Sequence, residues 1–349
     1  MRKVLPISFL LGATVFAACS TDEPSSPSAG APSMTLAEQA GTLPVLTTAR
    51  LVKTDATAAA RGEQTKFQIT LRFINPPTAD QRRQFKAGAA KWESIIQGDV
   101  DATQGGIPRN GCGDGIPLPP FNGVIDDIMI NVLLAQIDGP GGILGQAGAC
   151  LVRFSDGLPL YGVMFFDTDD LAALEDVGLL DEVVVHEMGH VLGFSGGIFN
   201  LSIPGVFERN LLRNPNTRNP RFLGEFARAK YHALGGPLVN IPVEGLPCGP
   251  GTANSHWDEN TFFNELMTGF LNGASSNFVN PLSSMSVGAM KDLGYKTRAN
   301  ADRYKLQPSP LPDPCAPAPT AATAARVAAE GGFDLASREV IVRPVGVVR

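Results

Sequence analysis

The residues that most constrain this chain are His186-Glu187-Met188-Gly189-His190. They sit in an apolar stretch, Asp181 to about Phe194, whose spacing predicts a helix, with Asp181 and Glu182 placed favourably near its positive end. Helical positions four apart are separated by about 400°, so both imidazoles leave one face, a turn from each other. That arrangement lets both bind one Zn²⁺ at about 2.0–2.1 Å. Glu187, about 100° further round the helix, can reach water on such an ion without occupying it. A carboxylate there can take a proton from the water and deliver it to a leaving amine. The motif's interior is uncharged, and Gly193 lets the chain leave the helix. The chain has only four histidines, and two on one turn are not expected of an ordinary solvated face.

A catalytic zinc takes a third protein ligand and keeps a fourth position open. The short metzincin pattern HExxHxxGxxH would put a histidine at 196, which here is Gly196. Two histidines remain. His232, in Ala229-Lys230-Tyr231-His232-Ala233, lies on a predicted helix with no motif around it and reads as structural or surface. His256, in Ser255-His256-Trp257-Asp258-Glu259, is therefore given the metal.

Hydrophobic residues make up 44% of the chain and charged residues 18%, a globular balance. Lys+Arg 28 against Asp+Glu 34 leaves a net charge of −6 without a basic cluster, which argues against nucleic acid as a partner. Gly 38 and Pro 28 predict many loops and a tail that does not pack. Residues 1–18 have a basic start and an apolar run of signal-peptide length, so the protein is expected to be exported. Small residues before Cys19 resemble a lipobox, which makes Cys19 a lipidation site and the protein a cell-envelope lipoprotein. Ordinary cleavage after Ala18 would make it secreted instead. Any membrane association is expected through that N-terminal lipid alone.

Taking Cys19 as the anchor leaves Cys112, Cys150, Cys248 and Cys315, an even number that reads as two disulfides in an exported chain. Of the three connectivities, Cys112–Cys150 with Cys248–Cys315 closes the short loops and is preferred. Residues 19–62 are a Ser/Pro/Ala-rich tether, 63–297 the folded domain, and 298–349 a Pro/Ala-rich C-terminal tail containing an edge-strand candidate at Glu339-Val340-Ile341-Val342. Within the domain, Phe67–Phe73 alternates as a strand. Thr78 is placed to cap a helix to about Gln97, with Phe85, Ala89, Trp92 and Ile96 as its apolar stripe. Further strands are predicted at 124–134 and 162–166, a loop or short helix at 170–180, and helices at 224–234 and 281–293, the last with Pro281 at its start and Gly294 at its end.

HEMGHVLGF, a long insertion, then SHWDENTFFNELMTG and SSMSVGAMKDLGY resemble the leishmanolysin (M8) family of zinc metalloendopeptidases. The resemblance implies a bacterial-type exported member with an α+β, zincin/metzincin-like fold, a twisted mixed sheet over an active-site helix and an irregular, mainly helical lower lobe. It implies His186, His190 and His256 as ligands to one zinc, Glu187 as general base, and Met267 as the methionine beneath the metal. Proteins or peptides would be the substrates. Family members are often made with a pro-segment whose cysteine blocks the zinc. Residues 20–62 contain no cysteine, so latency of that kind is not expected and activity is expected on export. Asp167, Asp169 and Asp170 are candidate calcium ligands, against the plainer reading of a strand end and helix cap. Trp257, Phe262 and Phe263 read as core. The alternative function is a surface adhesin or binding lipoprotein whose zinc is structural, which requires a closed ligand set and no hydrolysis.

Overall fold

Strands buried on both faces organise the upper half of the molecule. In chain order the elements are β1 (Val45–Leu46), β2 (Ile69–Phe73), α1 (Ala79–Ile95), β3 (Thr103–Ile107), β4 (Phe121–Ile125), β5 (Ile128–Ala135), β6 (Gly145–Arg153) and β7 (Pro159–Asp167). They continue as α2 (Thr168–Val177), α3 (Leu180–Val191), α4 (Glu225–Ala233), α5 (Ser284–Leu293), β8 (Glu339–Ile341) and β9 (Gly346–Val348), with short one-turn helices and two-residue strands between. The computed structural model describes residues 45–46, 66–249, 251–273, 279–310, 315, 333–335 and 337–349. All of them fall within the unit Thr42–Arg349.

The main sheet runs β1-β9-β6-β7-β5-β2, with β8 also paired to β6. The β2–β5 and β5–β7 pairs are parallel, whereas β6 is antiparallel to β7. On β5, Ile130, Val132 and Leu134 join the core that holds Phe85, Trp92 and Val184 of the helices. Met129 and Leu133 join a second core beneath the β3–β4 hairpin, together with Cys112 and Cys150. Such two-sided burial accounts for the nearly continuous apolar run of β5. Helix α1 starts in a capping box: Gln81 N donates to Thr78 Oγ1 at 3.1 Å and Thr78 N to Gln81 Oε1 at 2.9 Å. It lies directly on α3, because a Cβ on Gly88 would stand 2.7 Å from Val184. Trp92 Nε1 donates to the Val185 carbonyl at 2.8 Å.

Below α3 the chain is irregular, with paired two-residue strands and two helices in close contact. A Cβ on Gly288 of α5 would lie 2.7 Å from the backbone of Ala227 in α4. The disulfides are Cys112–Cys150 and Cys248–Cys315. The first ties the loop before β4 to β6, and the second ties residue 315 to the loop after the strand Ile241–Pro242.

Several elements differ from the sequence expectation. The strand predicted over 124–134 is broken at Asp126-Asp127, where Asp127 is buried and accepts from Val100 N at 2.6 Å and Gln68 N at 2.8 Å. Strand β6 was not expected, since its sequence GQAGACLVR is rich in small residues. The final helix begins at Ser284 rather than Pro281: Ser283 Oγ caps it, and the Pro281 carbonyl instead accepts from Leu266 N at 3.1 Å. The largest departure is at the C-terminus, where β8 and β9 join the main sheet although the folded unit was expected to end at 297. Val45–Leu46, in the expected tether, pairs with β9. The signal segment 1–18 and Cys19 lie outside the described residues. No helix among the described residues is long and apolar enough to cross a membrane.

Thr78→Ala removes one side-chain acceptor of the capping box and should lower unfolding stability by about 1 kcal/mol. Urea denaturation measures this, and bound zinc per folded chain should not change.

Candidate metal centre

Helix α3 carries Asp181 and Glu182 in its first turn and His190 in its last. It ends where Gly193 takes φ 108°, a left-handed conformation that glycine adopts without a Cβ clash. That turn lets Phe194 N donate to the Gly189 carbonyl at 2.9 Å and brings the Phe194 carbonyl back to His190 Nδ1 at 2.7 Å. Two further main-chain carbonyls hold the other imidazoles. His186 Nδ1 faces Leu266 O at 2.7 Å, and His256 Nδ1 faces Thr252 O at 3.1 Å.

A carbonyl only accepts, so each Nδ1 carries the proton and each neutral ring presents an unprotonated Nε2. These three nitrogens converge: His186–His190 2.9 Å, His190–His256 3.1 Å and His186–His256 3.2 Å. Three lone pairs at that spacing have no proton to share, and all three rings are fully buried. A cation resolves the conflict. Donors about 2.0–2.1 Å from a tetrahedral zinc lie about 3.3 Å apart, so the residues present fit that ion, and imidazole ligation suits it.

A fourth donor joins them. Glu339, on β8, sets Oε1 2.7 Å from His256 Nε2, and Oε2 3.4 Å from His186 Nε2 and 3.7 Å from His190 Nε2. Among the described residues, no hydrogen-bond donor other than these imidazoles faces either of its oxygens. The four side chains form one buried group whose ligand atoms all lie within 4.8 Å of one another. Burial works against the Glu339 charge, and only positive charge at the imidazole nitrogens, from protons or a bound cation, outweighs it and holds the carboxyl well below the usual carboxylate range. Burial, reinforced by His186 and His256, pushes His190 far down. Glu187 is fully buried without a hydrogen-bond partner, and burial followed by the Glu339 charge raises it to about 8.

The floor of the site is the turn at Met267. A Cβ on Gly189 would stand 2.8 Å from Met267 Cε and 2.9 Å from its Sδ, so the methionine packs straight onto the helix backbone between the two motif histidines. Glu265 builds this turn. Its Oε2 accepts from Met267 N at 2.6 Å, and its Oε1 from Ser283 N at 2.9 Å and Ser286 Oγ at 2.5 Å. Trp257 N donates to the Met267 carbonyl at 2.9 Å, and Trp257 Nε1 to Ser286 Oγ at 2.8 Å, so the strip carrying His256 is pinned to the same turn and to α5.

The structure thus brings His186, His190 and His256 together, with Met267 beneath and Glu187 on the same helix. His232 stands apart on α4, partly exposed, with Nε2 3.3 Å from the Val239 carbonyl. Trp257, Phe262 and Phe263 are buried in the core. The calcium expectation finds no support. Asp167 accepts from the backbone N–H groups of Ile137, Asp138, Gly139 and Asp169. Asp169 accepts from Gln136, and Asp170 from Gly141 N and Arg338. These carboxylates cap α2 and anchor the preceding loop. Sequence reasoning missed Glu265, which has no spacing signal. It also missed Glu339, whose segment was read as an edge strand without a link to the histidines.

Fold and site define a mixed α/β protein in which the two HExxH histidines meet a distant third histidine in a buried group that could hold a metal ion. Residues 97–302, more than half of the chain, match the leishmanolysin model of the M8 peptidases, and the chain belongs to that family. It is similar to a leishmanolysin homolog of Crithidia fasciculata, 28% identical over 196 residues covering 54% of this chain and 28% of the relative. Leishmanolysin of Leishmania donovani is 30% identical over 241 residues, 66% of this chain and 37% of that one. The ciliated left-right organizer metallopeptidase of Xenopus laevis is 28% identical over 207 residues, 55% and 27% respectively. The chain spans about a third of the length of these relatives.

Gly189→Ala forces Met267 off the helix by close contact at 2.8 Å. It should cost about 1–3 kcal/mol of stability, as overpacking does, and weaken zinc retention. Thermal unfolding and chelator titration of the same preparation measure the two effects.

Proposed function

We propose that this chain is an exported, zinc-dependent endopeptidase of metzincin type that hydrolyses peptide bonds in protein or peptide substrates. The observation that carries the reading is the convergence of three unprotonated Nε2 atoms beside a buried, unpartnered Glu187. His186, His190 and His256 would hold the ion, their Nδ1 protons fixed on main-chain carbonyls so that the lone pairs stay aimed. Zinc, when bound, supplies a Lewis acid that acidifies water and polarises a carbonyl. Glu187 takes a proton from the attacking water as the new C–O bond forms, then gives it to the amine nitrogen as the C–N bond breaks. Burial raises the proton affinity of the Glu187 carboxylate, which suits a group that, ionised, must take a proton from water and then pass it on. Met267 supports the two motif histidines from below. Cleavage of residues 1–18 and lipidation of Cys19 would place the enzyme on the cell envelope, and cleavage without lipid would release it.

The closed set formed with Glu339 is what the alternative, a binding protein with structural zinc, requires. That reading leaves Glu187 without a role, although a buried carboxylate with no hydrogen-bond partner costs stability. Membership of a peptidase family also favours catalysis.

Glu187→Ala should leave one zinc per chain and lower hydrolysis of a denatured protein by about 10²–10⁴-fold, in the native chain or in one also carrying Glu339→Ala. Turnover retained in Glu187→Ala would overturn the general-base role. His256→Ala should lose zinc at chelator concentrations that leave the native chain loaded, measured by metal analysis after dialysis. Unchanged retention would remove His256 from the ligand set.

A further inference from the structure

We infer that the segment 337–349 is a built-in blocking device, with Glu339 as the fourth ligand of the metal and β8 lying along the sheet edge where an extended substrate would pair. The blocking role rests on the peptidase reading above; the ligand assignment does not.

Glu339 stands 2.7–3.7 Å from the three Nε2 atoms, in a buried place where, among the described residues, no other hydrogen-bond donor reaches it. An ionised carboxylate is buried at acceptable cost only when paired or ligating, and the atoms it faces are lone pairs rather than donors. The backbone fixes it there. Glu339 pairs with Gly145 and Ile341 with Ala147 in parallel register. Leu144 N donates to the Arg338 carbonyl at 2.6 Å, and Val342 N to the Ala147 carbonyl at 2.7 Å. Just before the strand, Arg338 pairs with Asp170 at 2.6 Å and donates from Nε to the Gly142 carbonyl at 3.0 Å.

The site is shaped to the segment from both sides. On the sheet, a Cβ on Gly148 would stand 2.1 Å from the Val342 carbonyl oxygen. On the lower lobe, a Cβ on Gly251 would stand 2.8 Å from the Glu339 carbonyl oxygen. One glycine above and one below admit the segment's backbone. Strand β6 has β7 on one side, and on the other it pairs with β8 and β9. Withdrawal of the segment would leave that edge unpaired beside the histidines, and an exposed edge is what an extended peptide adds to.

The test compares the full-length native chain, Glu339→Ala and Arg338→Ala, each loaded with Co²⁺ for visible spectroscopy and with Zn²⁺ for chelator titration and hydrolysis of a denatured protein. In Glu339→Ala the cobalt spectrum should shift, zinc should leave at a chelator concentration at least about tenfold lower, and hydrolysis should rise at least about tenfold. Arg338→Ala, which loosens the segment without touching the ligands, should raise hydrolysis in the same direction and covers the case of a misfolded Glu339 variant. An unchanged spectrum and unchanged zinc retention in Glu339→Ala overturn the inference whatever the hydrolysis. A shifted spectrum with native turnover already equal to that of both variants keeps Glu339 as a ligand and overturns the blocking role. A shifted spectrum with no turnover in any chain overturns the peptidase reading, and the blocking role with it.

Discussion

Three main-chain carbonyls, of Leu266, Phe194 and Thr252, hold the proton of each buried imidazole on Nδ1, and the rest of the site depends on that. A neutral histidine offers one donor and one acceptor, so committing the donor outward aims the acceptor inward. The carbonyls come from three separate pieces of chain: the turn after α3, the turn at Met267 and the loop before His256. Each piece must be set before the nitrogens converge. Gly193 sets the first, and Glu265 sets the second by gathering Met267 N, Ser283 N and Ser286 Oγ on one carboxylate. The third is tied to the second through Trp257 N and the Met267 carbonyl. The lower lobe, irregular in secondary structure, is thus ordered about one set of polar contacts.

Why the third histidine comes from so far along the chain also has a local cause. Position 196 follows the helix closely enough to offer a ligand, but a Cβ there would lie 2.8 Å from the Asn254 Cβ. The chain that delivers His256 runs over that spot, so a residue without a side chain is required. A histidine at 196 and the loop carrying His256 could not occupy the same space.

The legible parts of this protein were those whose signal is local. The HExxH spacing, the Thr78 cap, the apolar alternation of β2 and the Gly294 stop all concern residues within a turn or two of each other, and the structure has α3, α1, β2 and the end of α5 at those places. Strand β6 was not legible because its job is to be thin. A Cβ on Gly162, its neighbour on β7, would stand 2.4 Å from Val191 of α3 and 2.6 Å from the Gly148 carbonyl. Small residues let helix and strands approach, and they weaken the strand signal that larger ones would give. Glu265 and Glu339 were illegible for another reason: a lone buried carboxylate acts through partners far away in sequence, and no spacing announces it.

The position of Glu339 at the chain's far end changes what its strand can do. A tethered segment meets its site at an effective concentration on the order of millimolar when the linker spans the gap. Free substrates bind with KM values of about 1 μM to 1 mM, and those supplied at comparable or lower concentrations compete poorly with a segment of the same chain. Pairing along β6, burial of Leu335 and Val347, and the Arg338–Asp170 pair add affinity to that advantage. Concentration of substrate is therefore a weak means of opening the cleft. Pairing of Val45–Leu46 with β9 brings a second piece of the chain to the same sheet. Displacing β9 would therefore also unpair Val45–Leu46.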